Sequence, residues 1–148
     1  MGCRAIGAVR RVARHGVEAP HLFAGIGNFS LALADDVASV TAVEGSKEMV
    51  ERLRDNASRN GLDVSALQAD LSAPGATIEA LIAEHDTVLL DPPRDGADAV
   101  CRQLAESDVA RVAYISCDPA SLARDAAHLL AGGYSTMPPF RLVWTKSR

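Results

Sequence analysis

The chain has 148 residues, of which 48% are hydrophobic, and a formal net charge of -4. This length suits one domain with a real core, and no apolar run approaches the ~20 residues that a membrane span needs. The negative charge excludes strong non-specific attraction of the whole chain to nucleic acid, because phosphates are usually met by clustered Lys and Arg.

The N-terminal segment and the cysteines set further bounds. Residues 1–18 carry arginines and little pattern, so we expect a frayed arm or short helix there, followed by a single domain over residues 19–148. Arg10, Arg11 and Arg14 interrupt the apolar stretch that a secretory signal needs, which predicts a cytoplasmic protein without membrane partners. Three scattered cysteines predict neither a disulfide framework nor a metal site.

Short apolar runs alternate with segments of helical pattern, which predicts an α/β fold with a mostly parallel sheet. The clearest helix spans Lys47–Asn60, where Met49, Val50 and Leu53 form an apolar stripe, and a further helix follows Pro119. The predicted strands are Ala19–Phe23, Ser39–Val43, Val64–Gln68, Thr87–Leu90, Val109–Ile115 and Phe140–Trp144.

A glycine-containing turn follows the first predicted strand. Gly25 and Gly27 let the backbone turn sharply and approach a ligand without Cβ clashes, although a purely structural turn explains them equally well. Glu44 favours the ligand, because an acidic residue ~20 positions later holds ribose hydroxyls in nucleoside-binding α/β folds. The third glycine of a dinucleotide site is missing, so the pattern favours S-adenosylmethionine over NAD.

Two aspartates also follow predicted strands. Asp70 can hydrogen-bond an adenine amino group, or it can serve as an ordinary turn or helix-capping residue. Asp91 follows an apolar strand and precedes Pro92 and Pro93, which stiffen the strand exit. Ligands of open α/β sheets bind at such strand ends, and the prolines leave carbonyl groups available to a neighbouring base. A plain turn is the alternative explanation for the prolines.

Cys117 follows another predicted strand and precedes the helix that begins near Pro119. The positive end of that helix favours the thiolate form, so we interpret Cys117 as a reactive residue rather than a small buried cysteine. Cys101 lies on a predicted helix, and we interpret it as a buried structural residue.

Two segments indicate a family. Asp91–Gly96 reads Asp-Pro-Pro-Arg-Asp-Gly, and Ser116–Asp125 reads Ser-Cys-Asp-Pro-Ala-Ser-Leu-Ala-Arg-Asp. Together with Leu22–Leu31 and Val43–Leu62, they resemble successive motifs of the RNA 5-methyluridine methyltransferases, an S-adenosylmethionine-dependent family with transfer-RNA and ribosomal-RNA members. The resemblance covers about Leu22 to Tyr134 and implies a Rossmann-like class I methyltransferase sandwich, with helices on both faces of the sheet.

The resemblance also implies the chemistry and the partners. Cys117 is the implied nucleophile, which adds to carbon 6 of uracil so that carbon 5 can accept a methyl group. The implied cofactor is S-adenosylmethionine, and the implied partner is tRNA or rRNA. Pro92 and Arg94 are the expected substrate-binding residues. The expected cofactor-binding residues are Phe23, Gly25, Gly27, Asn28, Glu44, Asp70 and Asp91.

The chain departs from the family near both ends. The family has a glutamate base in a His-x-Glu segment after the last crossover helix, whereas residues 132–148 contain no acidic residue. We expect the last strand to be missing, which leaves an unpaired sheet edge that invites self-association or a partner. His21 stands where the family usually has an acidic residue, and nothing upstream resembles its RNA-binding β-barrel. We therefore expect a gene fragment, a degenerate copy or one partner of a split enzyme.

Two alternatives stay open from the sequence. The chain can be a catalytically impaired cofactor-binding fragment or subunit, which the missing base favours. It can also be a methyltransferase that acts on another base. Amino-methylating enzymes usually have an aromatic residue after the prolines, and a dominant branch of RNA 5-methylcytidine enzymes has a cysteine there. Arg94 occupies that place here, which counts against both.

Overall fold

The computed structural model describes residues 7, 10, 18–37, 39–137 and 140–146, without the side chains of residues 140–142. The strands in this part of the chain are β1 (Ala19–Leu22), β2 (Val40–Glu44), β3 (Val64–Gln68), β4 (Thr87–Leu90), β5 (Arg111–Tyr114), β6 (Tyr134–Met137) and β7 (Phe140–Lys146). The helices are α1 (Asn28–Leu33), α2 (Lys47–Arg59), α3 (Ala76–Ala83), α4 (Asp98–Glu106) and α5 (Pro119–Ala131).

All seven strands form one sheet in the order β3-β2-β1-β4-β5-β7-β6. The first five strands are parallel, whereas β7 runs antiparallel to both β5 and β6. The predicted α/β fold with a mostly parallel sheet is therefore confirmed. Of the six predicted strands, β3 and β4 have the predicted bounds, and the others differ by at most two residues at either end.

The prediction that the last strand is missing is wrong, because the C-terminal part contains both β6 and β7. Tyr134 on β6 is buried, and its hydroxyl donates to the carbonyl of Val109 at 2.7 Å. Lys146, opposite Tyr134 on β7, donates to the carbonyl of Ser107 at 2.6 Å. A four-residue strand with one buried side chain gives little alternation in the sequence. Because β6 pairs with β7, the reason for expecting an unpaired edge next to β7 no longer holds.

Helices cover both faces of the sheet. Val88 and Leu90 of β4 pack in the large core cluster with residues of α3, α4 and α5, whereas Leu89 packs with Leu33 of α1. Successive side chains of a strand point to opposite faces. Helix α1 therefore lies on one face of the sheet, and α3, α4 and α5 lie on the other.

Helix α2 begins and ends close to the predicted residues. Ser46 caps it by accepting the Met49 N–H at 3.4 Å, and Gly61 follows its C-terminus with φ 62°. Val50 and Leu53 are buried, but Met49 is 44% exposed, so its place in the predicted apolar stripe is wrong. The buried face of the helix consists of Val50, Leu53 and Ala57, which follow one another at intervals of three and four residues. Met49 precedes Val50 by one residue and therefore points away from this face.

The N-terminal arm predicted for residues 1–18 lies almost entirely outside the described residues. Arg10 is described, and its guanidinium lies 2.6 Å from the carboxylate of Asp36. The boundary between this arm and the domain stays a prediction. Among the described residues, no helix is long and apolar enough to cross a bilayer.

His21 is buried inside the sheet, on β1. Its Nδ1 lies 2.6 Å from the Ser30 hydroxyl, and its ring packs edge-on against Phe29. Its Nε2 has no hydrogen-bond partner among the residues that the structure describes. Burial lowers the pKa of His21 to about 3, because a charged imidazolium would lose its hydration. The imidazole is therefore neutral at neutral pH.

This burial predicts a loss of stability in mild acid. The unfolded chain binds a proton at His21 near the ordinary pKa of about 6.5, whereas the folded chain does so only near pH 3. Protonation therefore favours the unfolded state, and we expect His21 to account for a loss of about 2 kcal/mol between pH 7 and pH 5. Urea denaturation at the two pH values measures this loss.

His21→Asn is the matched variant, because an amide can still bond to Ser30 but does not titrate. All other groups titrate equally in the parent and the variant, so the difference between their pH dependences isolates His21. An equal loss of stability in both proteins would show that His21 does not oppose folding in acid.

Candidate functional site

The carboxyl ends of the five parallel strands meet at one edge of the sheet, and the candidate residues lie along it. In the order of the strands across the sheet, Asp70 follows β3, Glu44 ends β2, Phe23 follows β1, Asp91 follows β4 and Cys117 comes shortly after β5. Neighbouring strands are ~4.8 Å apart. Residues that are far apart in the sequence are thus brought into one row.

Backbone hydrogen bonds extend the parallel ladder beyond the strand ends. The N–H of Asp91 donates to the carbonyl of Leu22 at 3.2 Å, and the N–H of Ile115 donates to the carbonyl of Leu90 at 2.8 Å. These bonds tie the start of the Asp91 loop to β1, and the start of the Cys117 loop to β4. The two loops therefore leave the sheet side by side.

The predicted glycine turn connects β1 to α1. Gly25 and Gly27 have φ values of 56° and 96°, a region that glycine reaches without a steric penalty. A Cβ atom on Gly27 would lie 3.1 Å from the side chain of Leu53, whereas one on Gly25 would meet nothing within 4 Å. Gly27 thus packs closely against α2, and Gly25 faces open space where a ligand can approach the backbone.

Glu44 holds this turn in place. Its two carboxylate oxygens accept the N–H of Gly25 at 2.9 Å and the N–H of Ser46 at 3.1 Å. Each carboxylate oxygen has a second lone pair, so Glu44 can accept hydrogen bonds from ligand hydroxyls while it holds the turn. The sequence predicted the ligand-facing role but did not indicate the bond to Gly25.

Phe23 and Asn28 flank the turn. Phe23 has φ 63°, which is unusual for a residue with a bulky side chain, and its ring packs against the main core cluster. Asn28 is exposed at the first position of α1. Left-handed backbone at non-glycine residues concentrates at ligand sites, and here it directs the chain from β1 into the glycine turn.

Asp70 forms a turn with Ser72. Its Oδ1 accepts the Ser72 hydroxyl at 2.6 Å and the Ser72 N–H at 2.9 Å. These bonds hold the pKa of the Asp70 carboxyl below its usual range. Asp70 therefore serves as the turn residue that the sequence offered as an alternative. Its carboxylate is also exposed to solvent.

Asp91 lies in a different environment. It is partly buried, and loss of hydration raises the pKa of its carboxyl to about 6. The group is mostly ionised at pH 7 and takes up a proton in mild acid. A strongly perturbed carboxyl at the carboxyl end of a parallel strand is typical of a ligand-binding or catalytic site.

The segment after Asp91 is a tight turn. Pro92 is buried, whereas Arg94 is exposed. The carbonyl of Pro93 accepts the N–H of Gly96 at 2.9 Å, so the plain turn considered for the two prolines is present. That carbonyl is occupied within the turn, although its second lone pair can still accept a hydrogen bond.

Cys117 is exposed and directly precedes Asp118, the N-cap of α5. The Asp118 carboxylate accepts the N–H of Ser121 at 2.8 Å. Hydrogen bonds from Ser121 hold the pKa of Asp118 below its usual range, and the charge of Arg94 contributes further. The charge of Arg94 thus acts on the residue that follows Cys117.

Cys101 is buried in the main core cluster on α4, which confirms the interpretation of this cysteine as structural. Burial raises the pKa of its thiol, mainly because a thiolate would lose its hydration. Among the described residues, no three His, Cys, Asp or Glu side chains group together in a way that could hold a metal ion.

Sequence reasoning missed Asp125, which is fully buried on α5. Its carboxylate accepts the N–H of Ala97 at 2.6 Å and the hydroxyl of Tyr114 at 2.5 Å. A signal was available, because Asp125 falls on the same helix face as Leu122 and Leu129. A charged residue within an apolar face of a helix implies a buried polar partner.

Comparison with known proteins agrees with this architecture. Residues 21–107 match the family model described as a methyltransferase domain. The chain is 60% identical over 114 residues to the 23S rRNA (uracil(1939)-C(5))-methyltransferase RlmD of Chromohalobacter salexigens, and 58% identical over 120 residues to RlmD of Halomonas elongata. These matches cover 76% and 80% of this chain but only 23% and 25% of the relatives, so the chain spans about a quarter of their length.

A solved structure gives the same result. The tRNA (uracil-54, C5)-methyltransferase of Pyrococcus abyssi, in complex with S-adenosyl-L-homocysteine, is 25% identical and superposes with a TM-score of 0.71. The match covers 90% of this chain and 32% of that protein. Together these matches confirm the similarity to RNA uracil-5 methyltransferases and the Rossmann-like fold. Because the family model covers more than half of its residues, the chain belongs to the methyltransferase domain family.

Proposed function

We propose that this chain is the catalytic portion of an S-adenosylmethionine-dependent RNA methyltransferase that acts on carbon 5 of uridine. One observation carries the proposal: Asp91 and Cys117 follow neighbouring parallel strands, at the sheet edge that also holds Glu44 and the glycine turn. The names of the curated relatives, which are rRNA uracil-5 methyltransferases, support the same assignment.

The residues along this edge fit S-adenosylmethionine. When bound, the cofactor supplies an electrophilic methyl group on a positively charged sulfonium. The open space above Gly25 admits a ligand to the backbone, and the Glu44 carboxylate keeps lone pairs for two ribose hydroxyls. Asp91 can balance positive charge on the cofactor, and Asp70 can accept from the adenine amino group. Phe23, Gly27 and Asn28 complete the proposed cofactor site.

Cys117 is the proposed nucleophile. Its thiolate adds to carbon 6 of uracil, and the electron pair of the 5,6 double bond makes carbon 5 nucleophilic enough to take the methyl group. A base must then remove the proton from carbon 5, so that the double bond re-forms and the thiolate leaves. Cys117 is exposed, as attack on a base within a large RNA requires.

Pro92 and Arg94 are the proposed contacts to the RNA. Arg94 is exposed, and its charge acts on Asp118, the residue after Cys117. A guanidinium there can bind a phosphate or a uracil carbonyl. The net charge of -4 means that RNA affinity must come from local contacts or from other parts of the protein. Ribosomal RNA is the favoured substrate, because the relatives at 60% and 58% identity are named for it. The cytoplasmic location and self-association stay predictions.

One alternative has a specific observation in its favour. Residues 132–148 contain no Asp or Glu, so this segment does not itself supply the glutamate base that the resemblance implies. A cofactor-binding subunit without turnover would share the fold and the cofactor site. It would bind S-adenosylmethionine and can still add Cys117 to uracil, because the base acts only after methyl transfer, but it would release no methylated RNA. Methylation of RNA that contains ordinary uridine therefore separates the two functions.

The nucleophile assignment predicts a covalent adduct with RNA that contains 5-fluorouridine. Carbon 5 then bears fluorine instead of the proton that the final elimination must remove, so the adduct persists after methyl transfer. With S-adenosylmethionine and a 5-fluorouridine fragment of 23S rRNA around position 1939, we expect a complex that survives denaturing electrophoresis. The same modification at position 54 of a tRNA arm tests the second RNA class.

Cys117→Ser should abolish this adduct, whereas Cys3→Ser, which removes a cysteine remote from the motifs in sequence, should leave it. An adduct that persists in Cys117→Ser would contradict the assignment of the nucleophile. An adduct with 5-fluorouridine RNA, but no release of methylated product from ordinary uridine RNA, would favour the cofactor-binding subunit without turnover.

The Asp91 assignment predicts that cofactor affinity depends on pH. Asp91 has a pKa of about 6, so only about a tenth of the carboxyl groups are ionised at pH 5. If the ionised form binds the cofactor, the dissociation constant for S-adenosylmethionine should rise about sevenfold to tenfold between pH 7 and pH 5. Calorimetric titration at the two pH values measures this change.

Asp91→Asn should bind weakly at both pH values and lose the dependence. Asp98→Asn is the control, because hydrogen bonding from His128 holds the pKa of Asp98 below its usual range and keeps it ionised throughout. A pH dependence that survives in Asp91→Asn would assign the titration to another group.

A further inference from the structure

Asp125 has a carboxylate that is fully buried and fully paired. Its Oδ2 accepts the Ala97 N–H at 2.6 Å and the Tyr114 hydroxyl at 2.5 Å. Its Oδ1 accepts two hydrogen bonds from Arg124, from Nε at 2.9 Å and from Nη2 at 2.7 Å. Burial of a carboxylate costs free energy, because the group loses its hydration. The proposed reaction does not use this carboxylate directly, so its presence needs another explanation.

The groups that Asp125 joins belong to the two segments of the proposed site. Ala97 directly follows the tight turn that begins at Asp91, and Tyr114 is the last residue of β5, three positions before Cys117. Asp125 itself lies on α5, the helix that begins two residues after Cys117. One side chain therefore contacts the end of the Asp91 segment and both flanks of the Cys117 segment.

Two further contacts show how closely these segments are fitted. Arg124 also donates to the carbonyl of Asp95 at 2.7 Å, which adds a second link between α5 and the turn. Gly96 has φ 79°, and a Cβ atom there would lie 2.5 Å from Asp125 Oδ2. The turn can approach the carboxylate this closely only because position 96 has no side chain.

Asp is the residue that this environment requires. All the groups around the carboxylate are donors: a backbone N–H, a phenol and a guanidinium. An ionised carboxylate offers only acceptors, whereas an amide of the same size would point N–H groups at some of these donors. Asp125→Asn therefore keeps the volume of the side chain but loses part of the hydrogen bonding.

We propose that Asp125 is a positioning residue that fixes the Asp91 turn relative to Cys117, through its bonds to Ala97, Tyr114 and Arg124. The inference rests on the proposed function, in which these two segments bring cofactor and nucleophile together. A displacement of about 1 Å between reacting groups can slow a reaction by about a hundredfold. Loss of Asp125 should therefore reduce the rate of the reaction more than the affinity for the cofactor.

The test compares Asp125→Asn with the parent protein in two assays, at a temperature where both are folded. We expect adduct formation with the 5-fluorouridine RNA to slow by about 10-fold to 100-fold. We expect the dissociation constant for S-adenosylmethionine to change less than about threefold, because the glycine turn and Glu44 lie outside the Asp125 contacts. The bond from the Asp91 N–H to the Leu22 carbonyl also stays in the variant and holds Asp91 at the end of its strand. A purely structural role would change the midpoint of unfolding without this separation of rate from affinity.

Asp98→Asn is the matched control, because the Asp98 side chain contacts Arg124 and His128 at the same helix pair but does not accept the Ala97 N–H or the Tyr114 hydroxyl. It should form the adduct at the parent rate. An Asp125→Asn protein that also reacts at the parent rate overturns the proposal. If Asp125→Asn does not fold, Tyr114→Phe removes one donor and keeps the carboxylate, and an unchanged adduct rate in that variant overturns it too.

Amide hydrogen exchange separates this proposal from the proposed function. Asp125→Asn should speed exchange of the Ala97 amide relative to the core amides of β4, whether or not the chain reacts with RNA. A parent protein that forms no adduct would refute the proposed function, and the exchange result would then decide whether Asp125 holds the turn. Unchanged exchange at Ala97 overturns the proposal in either case.

Discussion

Hydrogen bonds between parallel strands determine where every loop of the candidate site begins. A parallel ladder aligns the ends of neighbouring strands, so the ends of β1, β4 and β5 lie next to one another although long stretches of sequence separate them. The bond from Asp91 to Leu22 and the bond from Ile115 to Leu90 carry this alignment into the loops. The sheet therefore determines where the loops that carry Asp91 and Cys117 begin.

Among the buried ionisable residues, His21 and Asp125 differ in the hydrogen-bond partners that they have. His21 has one partner, Ser30, and no countercharge, so the neutral form is the stable one. Asp125 has donors on both oxygens, including a guanidinium, so its carboxylate is fully hydrogen-bonded. The resemblance identified position 21 as one where the family usually has an acid.

Much of the site could be predicted because its residues follow apolar runs and need only local signals. The glycine turn, Asp91 and Cys117 each come just after a strand that the sequence makes evident, and the strand ends determine their positions. Asp125 could not be assigned in the same way, because Ala97 and Tyr114 reach it only through the packing of α5 against the turn and β5. The bond between Glu44 and Gly25 depends on tertiary contacts in the same sense. Strand β6 was missed for a different reason, since four residues carry too short a pattern.

The order of the strands also has a consequence for how the chain folds. Strand β1 is the first strand of the described residues but lies inside the sheet, where Leu22 pairs with Val43 on one side and with Leu90 on the other. The first pairing closes a short loop, whereas the second must wait until α2, β3 and α3 have been made, and it closes a much longer one. Loop closure of this kind slows folding. During synthesis, this edge of β1 therefore stays unpaired until β4 has been made, and a chaperone that binds apolar strands would find it there.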